Sequence, residues 1–160
     1  HRSLRRQRQM CIRDSLHTME VKFKFLKLGN IKELIPLMQN FTNNKYTDSV
    51  LINRFKNMFN HEYDCLGIYV NKNLVGLCGL WYQTRHYSGK SCEIDHLYIL
   101  PDYQNKGVGS KLVFWIENYL KKLGYEALEL NAYKENTKSH ELYKRLGFDH
   151  LGFHFVKRLA

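Results

Sequence analysis

Between Cys92 and Leu130 the chain spells a strand, a glycine-bearing loop, a long helix and a second strand, and no other stretch limits the fold so tightly. Val108, Leu112, Trp115, Ile116, Tyr119, Leu120 and Leu123 recur at helical spacing and form one apolar face. Lys111, Glu117, Lys121 and Lys122 fall mostly on the outer face, and Glu117 and Lys121 are spaced for a surface ion pair. Gly124 stops the helix, and Ala127 to Leu130 reads as a buried strand. Upstream, Cys92 to Leu100 is a strand that Pro101-Asp102 ends. A crossover helix of this length makes the two strands parallel, with a right-handed connection. The carboxyl end of the first strand and the amino end of the helix then meet at one edge of the sheet, where open α/β folds bind ligands.

The preceding half reads as antiparallel elements and short helices. Glu20 to Lys27 alternates lysines with Val21, Phe23 and Phe25, a half-buried strand that Gly29-Asn30 breaks. Ile31, Leu34, Ile35 and Met38 follow at helical spacing, in a helix that Pro36 should shorten or kink. Thr47-Asp48-Ser49 offers caps for a second helix, with Val50, Leu51, Phe55, Met58 and Phe59 inward. Asp64 to Val70 and Leu74 to Tyr82 form a hairpin across Asn71-Lys72-Asn73, and Arg85 to Lys90 is a loop. Past the crossover, a short helix from Thr137 to Leu146 stops at Gly147. Phe148 to Leu159 should add one or two strands around Gly152.

The 160 residues fit one domain, placed at residues 19–160. Residues 1–18 carry five arginines, one aspartate and no helical or strand period, so they read as a disordered leader. Within them, Arg8-Gln9-Met10-Cys11-Ile12-Arg13-Asp14-Ser15 resembles translated sequencing-adaptor read-through, which would make Met19 the natural start. The competing reading is a basic amphipathic or targeting arm. The whole chain carries +10, and +6 remains without the leader. That charge suits a polyanionic ligand or a weak nucleic-acid binder. No helix shows a one-sided basic stripe, which disfavours nucleic acid. Cys65, Cys78 and Cys92 sit in apolar runs and behave as small buried hydrophobes. No apolar run approaches the ~20 residues needed to span a membrane. A reducing, cytoplasmic setting without membrane attachment is the expectation. No metal is predicted.

The loop before the long helix is Gln104-Asn105-Lys106-Gly107-Val108-Gly109-Ser110. The first turn of a helix has N–H groups without internal partners, and the helix dipole adds partial positive charge there. Glycines at 107 and 109 let an anion approach the backbone, because no Cβ intervenes. Lys106 and Lys111 add charge. Together these make an anion site suited to a pyrophosphate. A P-loop would need Gly-Lys-Ser/Thr, but Ser110 precedes Lys111 here. The dinucleotide fingerprint would need Gly or Ala where Leu112 stands. The plainer alternative is that both glycines serve only a tight loop and close helix packing.

With Gln104, Gly107 and Gly109 in this context, the sequence resembles the GNAT superfamily of N-acetyltransferases, whose cofactor motif is Gln/Arg-x-x-Gly-x-Gly/Ala between a strand and a helix. Leu97 to Tyr103 is similar to that family's run into the loop. Asn136-x-x-Ser139-x-x-x-Tyr143-x-x-Leu146-Gly147-Phe148 is similar to its second motif. The resemblance covers about Glu20 to Leu159, most strongly Cys92 to Phe148. It implies an α/β (α+β) fold: a mixed, mostly antiparallel sheet flanked by about four helices, with a central parallel pair splayed to hold CoA. It also implies acetyl-CoA as donor, leaving CoA as product. Backbone groups of Leu97 and Ile99, with Tyr98 between them, would pair with the pantetheine arm. Amides from Asn105 through Lys106, Gly107, Val108 and Gly109 to Ser110 would hold the pyrophosphate. Asn136 would orient the arm or a water, beside Ser139, and Tyr143 would point at the sulfur. From spacing alone, Asn136 could be a helix cap and Tyr143 a core aromatic.

The chemistry needs a base. An alkyl ammonium has a pKa near ~10, so a group must remove its proton. Glu93 and Asp95 lie two apart on a strand and face one side. Mutual repulsion in such a pair raises a carboxylate's pKa. Glu93, eleven residues before Gln104, matches the family's usual base position and ranks ahead of Asp95; a salt bridge to Lys or Arg is the alternative. Tyr143 is the candidate acid. His96 should face away from both carboxylates. Trp81, Tyr82, Arg85, His86 and Tyr87 line an acceptor pocket or pack the hairpin. Glu62 and Asp64, with the strand pair, favour a cationic acceptor. The expected acceptor is a small-molecule or peptide primary amine, and a homodimer is compatible. A binding module retaining CoA without turnover is the alternative reading.

Overall fold

The computed structural model describes residues 19–159; the expectations for residues 1–18 lie outside the described residues. In chain order these are β1 (Val21–Leu26), α1 (Ile31–Thr42), α2 (Asp48–Met58), β2 (Tyr63–Val70), β3 (Asn73–Arg85), β4 (Gly89–Ile99), α3 (Val108–Lys122), β5 (Ala127–Leu130) and α4 (Thr137–Arg145). The strands form one sheet in the order β1-β2-β3-β4-β5. The first three pairings are antiparallel, and β4 pairs with β5 in parallel, as a crossover through α3 demands.

Each face of the sheet has its own core. On one face, Leu66, Ile68, Leu80, Cys92 and Ile94 bury against Val108, Leu112 and Ile116 of α3. On the other, Leu34, Leu51 and Phe55 of α1 and α2 bury against Tyr63, Cys65 and Leu77. Complete burial of one such aliphatic side chain stabilises the fold by ~1.5–3 kcal/mol. These two layers are why β2 is nearly continuous in buried residues, as is β3 from Val75 to Leu80.

Local chemistry accounts for the element ends. The α2 cap is Thr47, whose Oγ1 accepts from Val50 N–H at 3.3 Å. This puts Val50 in the exposed first turn, and not inward as expected. Pro36 does not shorten α1, which runs for 12 residues. It sits on the exposed side, so the Lys32 carbonyl it leaves without a donor can face water. Asn71 and Lys72 both have positive φ (47° and 72°), and Asn73 pairs with Val70. The hairpin therefore closes on two residues, in the backbone form that suits strand twist.

The tail departs from expectation. Residues 149–159 form neither helix nor strand. Leu151, Phe153 and Phe155 alternate as a strand would, yet they are 82%, 79% and 89% exposed. Alternation stabilises a strand only where a neighbouring ladder and a core face receive it, and this segment has neither. The parallel pair consequently forms one side of the sheet. No helix of the described residues is long and apolar enough to cross a membrane.

Candidate active site

The cleft begins where β4 and β5 part. Their pairing runs from Ser91–Ala127 to Ile94–Leu130 and stops, while β4 continues to Ile99. Leu100 N–H donates to Val75 on the β3 side at 2.8 Å. Strand alternation then turns the backbone groups of Leu97 and Ile99 toward the opposite, open side. A bulge drives the parting. Gly79 pairs with Asp95 but Leu77 pairs with Tyr98, so His96 and Leu97 together oppose Cys78. The extra residue bends β4 away from β5, with His96 at φ 30°.

The amino end of α3 stands at the mouth of this cleft. Gly107 is its N-cap at φ 79°, and no side chain caps the helix. The amides of Val108, Gly109 and Ser110 are thus left for a ligand. Nothing lies within 4 Å of where a Cβ on Gly107 would be. Asn105 also has positive φ, 57°. Lys106 and Lys111 are exposed beside the loop. Gln104 has a role that spacing did not reveal: its Nε2 donates to Ile99 O at 2.6 Å and ties the loop to the end of β4. Open helix amides beside an unpaired strand edge fit an anion carrying an extended, amide-bearing arm.

One side of the cleft carries the carboxylates. Arg85 at the end of β3 reaches Glu93 at 3.0 Å and Glu129 at 2.9 Å, joining β4 to β5 just below their parting. Asn131 Nδ2 donates to Glu93 at 2.7 Å, and Ser88 Oγ donates to Glu129 at 2.6 Å. Burial alone would raise the Glu129 carboxyl, but the Ser88 hydroxyl and the Arg85 charge outweigh it and hold it below the ordinary range. Asp95 has no cationic partner among the described residues. Its Oδ2 accepts from Trp81 Nε1 at 3.1 Å, and its Oδ1 from His96 N–H at 2.8 Å.

His96 does not face away from these carboxylates. The bulge turns its ring into the α1–α2 side, where Nε2 meets Tyr63 Oη at 2.6 Å and the ring lies edge-on to Phe55. Burial holds the imidazole below its ordinary value, against an opposing pull from Asp95. Its Nδ1 is buried without a partner. Asp64 is spent elsewhere: it accepts from Tyr82 Oη at 3.0 Å, and Tyr82 packs with the α3 layer. It therefore lends no charge to the Asp95 side.

Tyr143 lies on α4. Asn136 caps α4, its Oδ1 accepting from Ser139 N–H at 3.2 Å, so the cap reading holds for its side chain. His140 Nε2 lies 3.0 Å from Tyr133 O and ties α4 to the chain leaving β5. Tyr143 is half-buried and packs on Phe148. Burial, and then nearby Cys78, raise its hydroxyl above its ordinary value. Leu142, the neighbour of Tyr143 on α4, lies 3.9 Å from where a Cβ on Gly109 would be, so α4 stands beside the start of α3, while Asp95 bonds Trp81 of the α1–α2 layer.

Sequence reasoning missed Tyr63, Asn131 and Glu129, which sit in otherwise ordinary strand or loop contexts and acquire roles only through pairing. His150 and His154 are four apart but lie in the non-helical tail. Among the described residues no group of three or more His, Cys, Asp or Glu is placed to hold a metal ion.

Residues 31–148 match the sequence profile of the Acetyltransferase (GNAT) family. The chain is 31% identical over 90 residues to an aminoalkylphosphonate N-acetyltransferase of Salmonella typhimurium, covering 56% of this chain and 58% of that one. It is 24% identical over 112 residues to a spermidine N(1)-acetyltransferase of Thermoplasma acidophilum, covering 69% and 66%. The chain thus spans less than two thirds of the length of these curated relatives. Among solved structures, an aminoglycoside N-acetyltransferase in complex with CoA superposes with a TM-score of 0.75 at 12% identity, covering 89% of this chain and 97% of that one. At that identity the likeness speaks for the fold alone.

Proposed function

The chain belongs to the Acetyltransferase (GNAT) family, and from that premise we propose that it moves an acetyl group from acetyl-CoA to a primary amine by direct attack. One observation carries the reading: the unpaired edge of β4 and the uncapped end of α3 meet at the open end of the parallel pair, with α4 beside that helix end.

The backbone groups of Leu97 and Ile99, flanking Tyr98, take an extended amide arm as an added strand would be taken. The amides from Asn105 to Ser110 hold the pyrophosphate, with Lys106 and Lys111 adding charge. Asn136 and Ser139 fix the start of α4, which keeps Tyr143 directed at the cleft. When bound, acetyl-CoA supplies an electrophilic acyl carbon and a sulfur leaving group.

At pH 7 only about one alkyl amine in a thousand is neutral. Asp95 takes the ammonium proton, and the freed nitrogen lone pair bonds to the acyl carbon. As the carbon–sulfur bond breaks, Tyr143 Oη gives the sulfur a proton, and the second proton that the nitrogen sheds in becoming an amide passes back to the tyrosine oxygen. The raised hydroxyl keeps that proton available at neutral pH. Sequence reasoning ranks Glu93 ahead of Asp95. The Arg85 contact favours the reverse order, because a cation sits on Glu93 while Asp95 accepts only from the neutral Trp81 and His96 N–H groups. Glu93 then acts as a positioning residue that holds β4 to Arg85.

Two measurements test this reading: calorimetric titration with CoA, and free-thiol release from acetyl-CoA across a panel of primary amines. Micromolar CoA binding with release from at least one amine is expected. CoA binding with no release from any amine would leave only a CoA-binding module. Absence of CoA binding would remove the donor site itself.

A further inference from the structure

Three cations from separate parts of the chain converge on one side chain. Lys45, in the α1–α2 loop, lies 5.6 Å from the ring centre of Tyr46. The Arg54 guanidinium of α2 lies over the same ring at 4.3 Å. Arg158, from the tail, joins Phe41, Lys45, Tyr46 and Tyr133 in lining a cavity of about 270 Å³. A hydrogen bond with Arg54, then the charges of Lys45 and Arg158, hold the Tyr46 phenol below its ordinary value. No carboxylate lines the cavity, and among the described residues none of the three cations is ion-paired. Like charges gathered without a counterion create a local positive field that favours an anion.

The cavity lies on the α1–α2 side of the sheet, the side on which Asp95 bonds Trp81. Phe41 packs against Tyr98 of β4 at 5.8 Å, and Tyr133 belongs to the segment that leaves β5 toward α4. Nearer the parting, Arg85 is shared by Glu93 and Glu129 and balances one of their two charges. An acceptor lying between Asp95 and this cavity therefore meets a proton acceptor at one end and unpaired cations at the other.

We propose that the cavity holds an oxyanion at the far end of the acceptor, so that the substrate is an ω-amino phosphonate or carboxylate and not a polyamine. The inference rests on the acetyltransferase reading. The Arg158 guanidinium can meet two oxygens with paired N–H donors, and Lys45 contributes a point charge. Phe41, Tyr46 and Tyr133 give the spacer an apolar wall. This reverses the cationic preference expected from Glu62 and Asp64, since Asp64 is turned to the other layer.

Calorimetric titration with 2-aminoethylphosphonate and β-alanine, against 1,4-diaminobutane and propylamine, reads the preference without turnover. At least one anionic amine should bind about tenfold or more tightly than propylamine, and the diamine no better than propylamine. Comparing the two anionic amines separates phosphonate from carboxylate. Arg158→Gln and Lys45→Gln should each reduce the anionic-to-neutral affinity ratio by about fivefold or more, with thermal midpoints unchanged. Equal affinities, a diamine preference, or a ratio that survives both substitutions would overturn the proposal. Thiol release with the same four amines separates the two readings. Anionic binding without release from any amine sinks the acetyltransferase reading alone. Release from all four at equal kcat/KM, with no anionic preference in binding, sinks the oxyanion site alone.

Discussion

The ring of His96 occupies the space, against Gly79, that a Cβ on residue 79 would fill. The bulge on β4 and the glycine on β3 are thus one device, because the extra residue in one strand is housed by the missing side chain in its neighbour. The same bulge parts β4 from β5, so the width of the cleft depends on a glycine one strand away.

That arrangement links stability to pH. The folded imidazole binds a proton less readily than an ordinary histidine, whose pKa is near 6.5. Below about 6.5 the unfolded chain takes up a proton that the folded chain resists, so stability falls as pH drops and is fully present above that value. The thermal midpoint should decline from pH 7 to pH 5, and His96→Gln should flatten the slope. Gly79→Ala, which must displace the ring, should destabilise by ~1–3 kcal/mol. An equal slope in wild type and His96→Gln would assign the pH response to another group.

Asp95→Asn should lower kcat about a hundredfold at neutral pH and lose less at high pH, where more amine is already neutral. Glu93→Gln should cost roughly tenfold or less, through loosening of the Arg85 contacts. A stopped-rate profile from pH 6 to 10 checks both. The opposite ranking would return the base to Glu93.

Gly107→Glu should weaken CoA binding about a hundredfold or more, since the new carboxylate would compete for the helix amides. Gly107→Ala carries the same backbone strain at φ 79°, about 1–2 kcal/mol, and should keep CoA affinity within about tenfold. Calorimetry on both variants distinguishes strain from charge. Equal losses would place the pyrophosphate elsewhere.

Tyr143→Phe should slow turnover about ten- to a hundredfold with CoA affinity nearly unchanged. Single-turnover rates alongside CoA titration read the two effects separately. An unchanged rate would remove the hydroxyl from proton transfer.

The thiols of Cys65, Cys78 and Cys92 should stay silent toward a disulfide reagent at pH 8. All three are fully buried, and burial pushes Cys65 and Cys92 up to about 12. Folded protein carrying Cys11→Ser should show no rapid reaction, and unfolded protein should show three thiols. A fast thiol in the folded state would contradict the packing of the β2–β3–β4 core.

Much of the fold is legible because its signals are local. The apolar stripe from Val108 to Leu120, the Asn71-Lys72 turn and the Asn136 cap each encode their geometry within a few residues. The pyrophosphate loop is legible for the same reason, since Gly107 and the helix it starts are adjacent in sequence. The other side of the cleft is not local. The facing of His96 depends on an extra residue measured against β3, and the partners of Glu93 come from Arg85 and Asn131. Tail alternation at Leu151, Phe153 and Phe155 carries a strand's pattern but no information on what would pair with it.

Arg85 fastens the two diverging strands with charge at the point where backbone bonding gives out. A hinge pinned by ions is stiff in dilute buffer and softens as ionic strength rises. The aperture above it therefore has a stiffness that the surrounding electrolyte can tune, although the apolar layers beneath stay unchanged.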